Sequence, residues 1–265
     1  MAQFMLGDII VDRVQFAYGE MTKKIDGVDK DVPVLLMSQL NNFSVEITAE
    51  SKDAVDAQGT LVKRFWQAKT GEVTATEAMI NFSALATASG TDAELATNSH
   101  TIVMPKISVV KKGETLDITG YIDGTIQVSD MNTSGGMGQT YDLTAYNVTT
   151  VDGVTTLTPP NTAGIEQYIV KYDRTVNTGA KIVNESDKFP GTIKLTVKAL
   201  AIDPCSVNTL KAMYITFPSF QISPEISLSL TTDATVDFSG SLQSSYCGSE
   251  KLLYYITWAD DDDED

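Results

Sequence analysis

The sequence is poor in the residues that most active-site chemistry needs. One histidine, His100, stands among 265 residues. A multi-histidine metal site is therefore excluded, and a Ser-His-Asp arrangement would have to use this one ring, in the polar stretch Thr97-Asn98-Ser99-His100-Thr101. The bland reading of His100 is an exposed loop residue. Only two cysteines occur, Cys205 and Cys247. They are far apart and lack a CxxC neighbour, so they read as buried reduced thiols rather than a redox or zinc motif. Basic residues are scarce, with 19 Lys and Arg against 35 Asp and Glu and a net charge of −16. Such a surface repels phosphate, which argues against a nucleic-acid-gripping protein. No apolar run approaches the length of a membrane span, and Met1–Asp12 has no basic start followed by a long apolar stretch. The expectation is a soluble protein made in a cytoplasm, with no membrane partner.

What is present is alternation. Phe43-Ser44-Val45-Glu46-Ile47-Thr48, Ile193–Lys198 and Ile226–Thr231 each place apolar residues on one face and polar ones on the other, and Met213, Ile215 and Phe217 repeat the pattern. Period-two patterning predicts strands with one buried and one wet face, as in antiparallel sheets. The run Leu252–Trp258 lacks the alternation and predicts a strand covered on both faces. Asp123-Gly124 and Asp152-Gly153 lie between strand-like runs and predict hairpin turns. Met131–Gln139 reads as a glycine-rich loop.

One segment reads as helix. Over about residues 76–89, Ala78, Met79, Phe82, Leu85 and Ala86 form a stripe, with Thr76 as N-cap and Gly90 as the left-handed stop. The predicted fold is mainly β: an antiparallel β-sandwich or barrel-like domain over 1–265 with one short helix. A candidate inserted β subdomain spans about 105–173, and the acidic run at 259–265 reads as a solvated C-terminal tail.

No catalytic constellation, cofactor motif or metal set emerges. The glycines at 135, 136 and 138 lack the lysine and helix of a phosphate-binding loop. Asp53 with Asp56 could form a carboxylate pair, but such pairs arise by chance among so many acids. The aromatic pair Phe65-Trp66, flanked by Lys63-Arg64 and Lys69, leaves two readings: burial in the core or contact between subunits.

The order of elements brings a resemblance. An alternating strand reaches Glu50; Ser51–Gly59 follows as a loop; then come Leu61–Lys69, Gly71–Thr76 and the helix to Gly90. This succession is similar to that of the major tail tube proteins of long-tailed bacteriophages, as are Tyr172–Thr175, Ala180–Asn184, Lys188–Thr192 and the late strands. The resemblance implies a non-enzymatic virion subunit, assembled in the host cytoplasm, whose hexameric rings stack into a tail tube. It would associate with other phage tail proteins and let DNA pass without sticking. The long loop, Lys52 to Gly59 and its flanks, would touch the next ring, so Asp53, Asp56, Gln58, Gly59, Phe65 and Trp66 are the expected inter-subunit contacts. Alternatives are another virion β protein (head decoration, capsid or fibre base) and a module binding carbohydrate or cell surfaces. Physics fits the tube reading: an open strand edge invites aggregation, and closure through neighbouring copies removes it.

Overall fold

The computed structural model describes residues 9–38, 40–132, 135–204, 210–227, 235–244 and 251–263. Cys205 and Cys247 fall outside these residues, as does most of the strand expected at Ile226–Thr231. In chain order the elements are β1 (Ile10–Ile25), β2 (Val28–Met37), β3 (Leu40–Val55), β4 (Leu61–Glu77), α1 (Phe82–Ala88), β5 (Glu94–Ala96), β6 (Ile102–Lys111), β7 (Leu116–Asp117), β8 (Gln127–Met131), β9 (Met137–Tyr141), β10 (Asn147–Val151), β11 (Val154–Thr158), β12 (Gln167–Val176), β13 (Gly179–Lys181), β14 (Thr192–Ile202), β15 (Lys211–Ile222), β16 (Val236–Leu242) and β17 (Tyr255–Asp263). The protein is mainly β, and every strand pairing among the described residues is antiparallel. Two compact units divide the chain: Met1–Ala93 with Ile182–Asp265, and Glu94–Lys181.

The first unit is one eight-stranded sheet in the order β2-β1-β14-β15-β16-β4-β3, with β17 also on β15. β15 is long enough to serve two neighbours on one side: Phe220–Ile222 pairs with β16, and Lys211–Thr216 pairs with β17. Alternation in β14 puts Ile193, Leu195 and Val197 on the buried face. They meet Leu35 and Met37 of β2, Val73 of β4, Phe217 and Phe220 of β15, and Phe238 of β16 in a single apolar cluster. A sheet whose first and last strands share one core with its centre must curl around that core, which is the barrel-like shape expected. Ser38 and Gln39 are all that separates β2 from β3, so the two ends of the sheet are tied together in sequence.

The helix differs from expectation. β4 runs through Glu77, because Glu77 pairs with Leu40 on one side and Val236 on the other. Two-sided strand pairing overrides the local helical pattern, so Thr76 is strand and not a cap. The helix starts only at Phe82, and Asn81 caps it by accepting from the Ser83 and Ala84 amides. Ala84, Ala86, Thr87 and Ala88 are buried while Met79 and Phe82 are exposed, so the predicted apolar stripe was misplaced. The stop is as expected: Gly90 has φ +66°, the Gly90 amide donates to the Thr87 carbonyl, and the Thr91 amide donates to that of Ala86. Those two bonds are the Schellman pattern.

In the second unit, β6-β12-β8-β9, β10-β11-β7 and the short pair β13-β5 form three sheets. Val110, Ile118, Val128, Leu157, Tyr168, Val170 and Tyr172 make its core. Asp152 and Gly153, both at positive φ, join β10 to β11 as the predicted hairpin. Asp123-Gly124 instead makes a turn that joins no hairpin, because β7 pairs with β11 while β8 pairs with β12 and β9. The tract Met131–Gln139, read as loop, contributes its ends to the strands β8 and β9.

Candidate assembly interface

β3 and β4 have 16 and 17 residues, longer than the core needs. On its far side β4 pairs with β16 only over Gly71–Glu77. Among the described residues, Leu61–Thr70 of β4 and the outer edge of β3 have no strand beside them. The end of this hairpin is thus a two-stranded arm with open backbone edges on both sides. An isolated hairpin is marginal in water, and open edges template further pairing.

The arm is nevertheless built to hold its shape. Asp53 and Arg64 are cross-strand partners, and the guanidinium donates from Nε and Nη2 to both carboxylate oxygens at 2.7 and 2.9 Å. The Thr48 and Thr70 hydroxyls meet at 3.0 Å. At the tip the Asp56 carboxylate accepts from the Gln58 and Thr60 amides at 2.9 and 2.8 Å, and Gly59 turns the chain at φ +82°. The Arg64 hydrogen bonds hold the Asp53 carboxyl below the ordinary carboxylate range, and Asp53 in turn holds Arg64 above its usual value.

All six residues expected at a contact therefore lie on this arm. Two details of the expectation change. Ser51–Val55 is strand rather than loop, because Asp53 to Arg64 and Lys52 to Phe65 continue the ladder. Phe65 and Trp66 are not in the core; they are 53% and 65% exposed, with Lys63 and Arg64 against their rings at 5.4 and 5.8 Å. Val55, Leu61 and Val62 are exposed beside them. Together these side chains make an exposed apolar strip on a narrow ribbon. The carboxylates of Asp53 and Asp56 are both engaged in holding the arm, which leaves neither arranged as an acid–base pair.

Two further features were not anticipated. The outer edge of β2 is capped by the helix region: Asn81 donates to the Leu36 carbonyl at 2.6 Å, Ser83 Oγ accepts from the Leu36 amide, and Thr87 donates to the Val34 carbonyl at 3.0 Å. Serine and threonine next to buried alanines in the helix were the legible signal for this. The run Leu252–Trp258, expected to be covered on both faces, leaves Tyr255 and Ile256 exposed within one chain. Among the described residues β17 borders β15 alone, and its backbone continues into the acidic run as far as Asp263.

His100 belongs to the second unit. Its Nε2 lies 2.8 Å from Glu94 Oε1, and Lys181 Nζ lies 3.5 Å from the other carboxylate oxygen. The hydrogen bond from His100, ahead of the charge of Lys181, lowers the pKa of Glu94. The histidine thus belongs to an exposed polar cluster beside the β5/β13 pair.

Against known proteins, the sequence model of the YomU/Tube protein family matches residues 25–244. No curated protein matches the chain.

Proposed function

This chain belongs to the YomU/Tube protein family, and we propose that it is a tube-type structural subunit of a phage whose copies close into hexameric rings that stack as a tail tube for DNA ejection. The observation that carries this reading is the β3/β4 arm. It projects an ordered ribbon with two free edges and with Phe65 and Trp66 in solvent, a surface that gains stability when a neighbouring copy covers it. The exposed Tyr255 and Ile256 of β17 offer a second apolar surface. One head-to-tail contact closes a ring, and a second, different contact stacks rings into a filament.

In this reading the partners are copies of the chain and other tail proteins, and its place is the virion tail. Asp53, Asp56, Gln58 and Gly59 shape the arm; Phe65 and Trp66 are the side chains it delivers. DNA is cargo, repelled by the surplus of acids rather than bound. In this reading the subunit carries no catalytic step. Replacing Glu50–Ala68, between the cross-strand partners Ala49 and Lys69, by a tight Asn-Gly turn tests the reading. The full chain should form tubes in negative-stain images, and the shortened protein should keep its fold by circular dichroism and form none. Tubes unchanged by the deletion would remove the arm from the assembly.

A further inference from the structure

We propose that the arm of one copy is received by a cleft at the foot of the arm on a second copy, and that charge selects the match. The inference rests on the self-assembly reading above and adds to it the surface that the arm meets.

The cleft has a volume of about 740 Å³ and lies between the β3/β4 rungs and the segments around Phe189–Pro190 and Ser223–Glu225. Glu46 and Glu72 stand directly opposite one another in its floor, and Glu225 lines the far wall. Like charges at directly opposed positions of a ladder destabilise it. Among the described residues no Lys, Arg or His comes within ion-pair distance of any of the three carboxylates. Among the described residues nothing of opposite charge relieves this repulsion. Beside the acids, Phe189 is 70% exposed. The cleft therefore asks for an occupant that is cationic and carries an apolar group.

The arm has a face of that kind. Lys52 pairs with Phe65 and Ala54 with Lys63, so Lys52, Lys63 and Phe65 share one side of the ribbon. The Asp53 carboxylate lies on the opposite side and is occupied by Arg64. Neither lysine meets a carboxylate among the described residues. In a chain of net charge −16 this is a local concentration of positive charge. Exposed ion pairs are individually weak, and here the covering of Phe65 and Phe189 would exclude water around them.

The arm cannot serve its own cleft. Glu46 and Lys52 lie on one continuous strand, separated by roughly 20 Å at about 3.4 Å per residue, and an extended ladder does not fold back on its foot. The occupant is a second copy. Each copy offers one arm and one cleft, so the contact can repeat from copy to copy.

Charge reversal tests this with two variants of the full chain: an arm variant, Lys52→Glu with Lys63→Glu, and a cleft variant, Glu46→Lys with Glu72→Lys. Each alone should keep the parent's circular dichroism and fail to assemble in sedimentation velocity and negative-stain imaging. An equimolar mixture should assemble, because the acidic arm then meets the basic cleft and the unaltered arm meets the unaltered cleft. Single variants that assemble like the parent, or a mixture of folded variants that stays dispersed, would overturn the proposal while leaving the tube reading in place. A parent chain that never assembles, alone or with companion tail proteins, would overturn the tube reading itself. If the cleft variant does not fold, Glu46→Gln with Glu72→Gln decides. Removing the repulsion should raise its melting temperature while raising the concentration needed for assembly about tenfold; unchanged or easier assembly would overturn the proposal.

Discussion

Glu20 of β1 and Lys194 of β14 are directly opposed across the sheet, with the ammonium donating to the carboxylate at 3.2 Å. The hydrogen bond, and then the charge, of Glu20 raise the pKa of Lys194. For a raised lysine the stabilisation is complete below its unfolded value and is lost as pH rises through the folded one. Stability of the parent should therefore fall off in the alkaline range more steeply than that of Lys194→Met, as read from urea midpoints across pH. Both side chains are partly solvated, so the difference at neutral pH should be small. Equal pH profiles would show that the pair does not couple to folding.

The Asp53–Arg64 bridge has the opposite sign. Its carboxylate is lowered in the folded state, so the ordering it gives is present above the unfolded value and is lost as pH falls through the lower folded value. The pair is exposed and sits on the arm, so Asp53→Ala should leave the melting temperature of the core unchanged. Amide exchange in Lys52–Val55 and Leu61–Trp66 should accelerate at neutral pH. The parent should show the same acceleration only on acidification below the ordinary carboxylate range. A uniform loss of protection across β14 and β15 would mean that the arm and the core unfold as one.

Asn81 does three jobs at once: it caps the helix, donates to the Leu36 carbonyl on the β2 edge, and reaches Glu77 Oε1 at 3.1 Å. Asn81→Ala should cost about 1–2 kcal/mol, because capping bonds and an edge bond go together. Chemical denaturation would measure it. Asn81→Ser restores the cap acceptor but not the reach to Leu36, and should recover only part of the loss.

Phe220 is fully buried and lies 5.5 Å from Phe238, ring centroid to centroid. Phe220→Ala should destabilise by about 3–5 kcal/mol, seen as a lower urea midpoint with an unchanged slope. Phe65→Ala should leave that midpoint nearly unmoved, since its ring is in solvent in a single copy. The contrast separates the aromatic residues that hold the fold from those that serve assembly.

How far the sequence alone reached follows from where side-chain alternation is local. Ile193, Leu195 and Val197 announce a one-face-buried strand, and Asp152-Gly153 announces its hairpin, because both signals lie within a few residues. Asp26-Gly27, at φ 53° and 79°, is an equally legible turn between β1 and β2. The helix start was misplaced because Glu77 is held in β4 by Leu40 and Val236, the latter far off in sequence. Phe65 and Trp66 could be assigned neither to core nor to interface from composition, since an exposed aromatic on an arm and a buried one in a strand share the same local pattern. The cross-strand register, Lys52 to Phe65 and Asp53 to Arg64, resolves it. The opposition of Glu46 and Glu72 was equally invisible, being a product of register.

The central claim is that this fold is finished only among copies of itself, and the most direct measurement is of the purified full chain at rising concentration. Negative-stain images together with sedimentation velocity should show closed rings and tubes of uniform bore, with Phe65 and Trp66 protected from solvent in them. A compact monomer that persists at high concentration, with both aromatics still in water and no companion tail protein able to draw it into rings, would contradict the account.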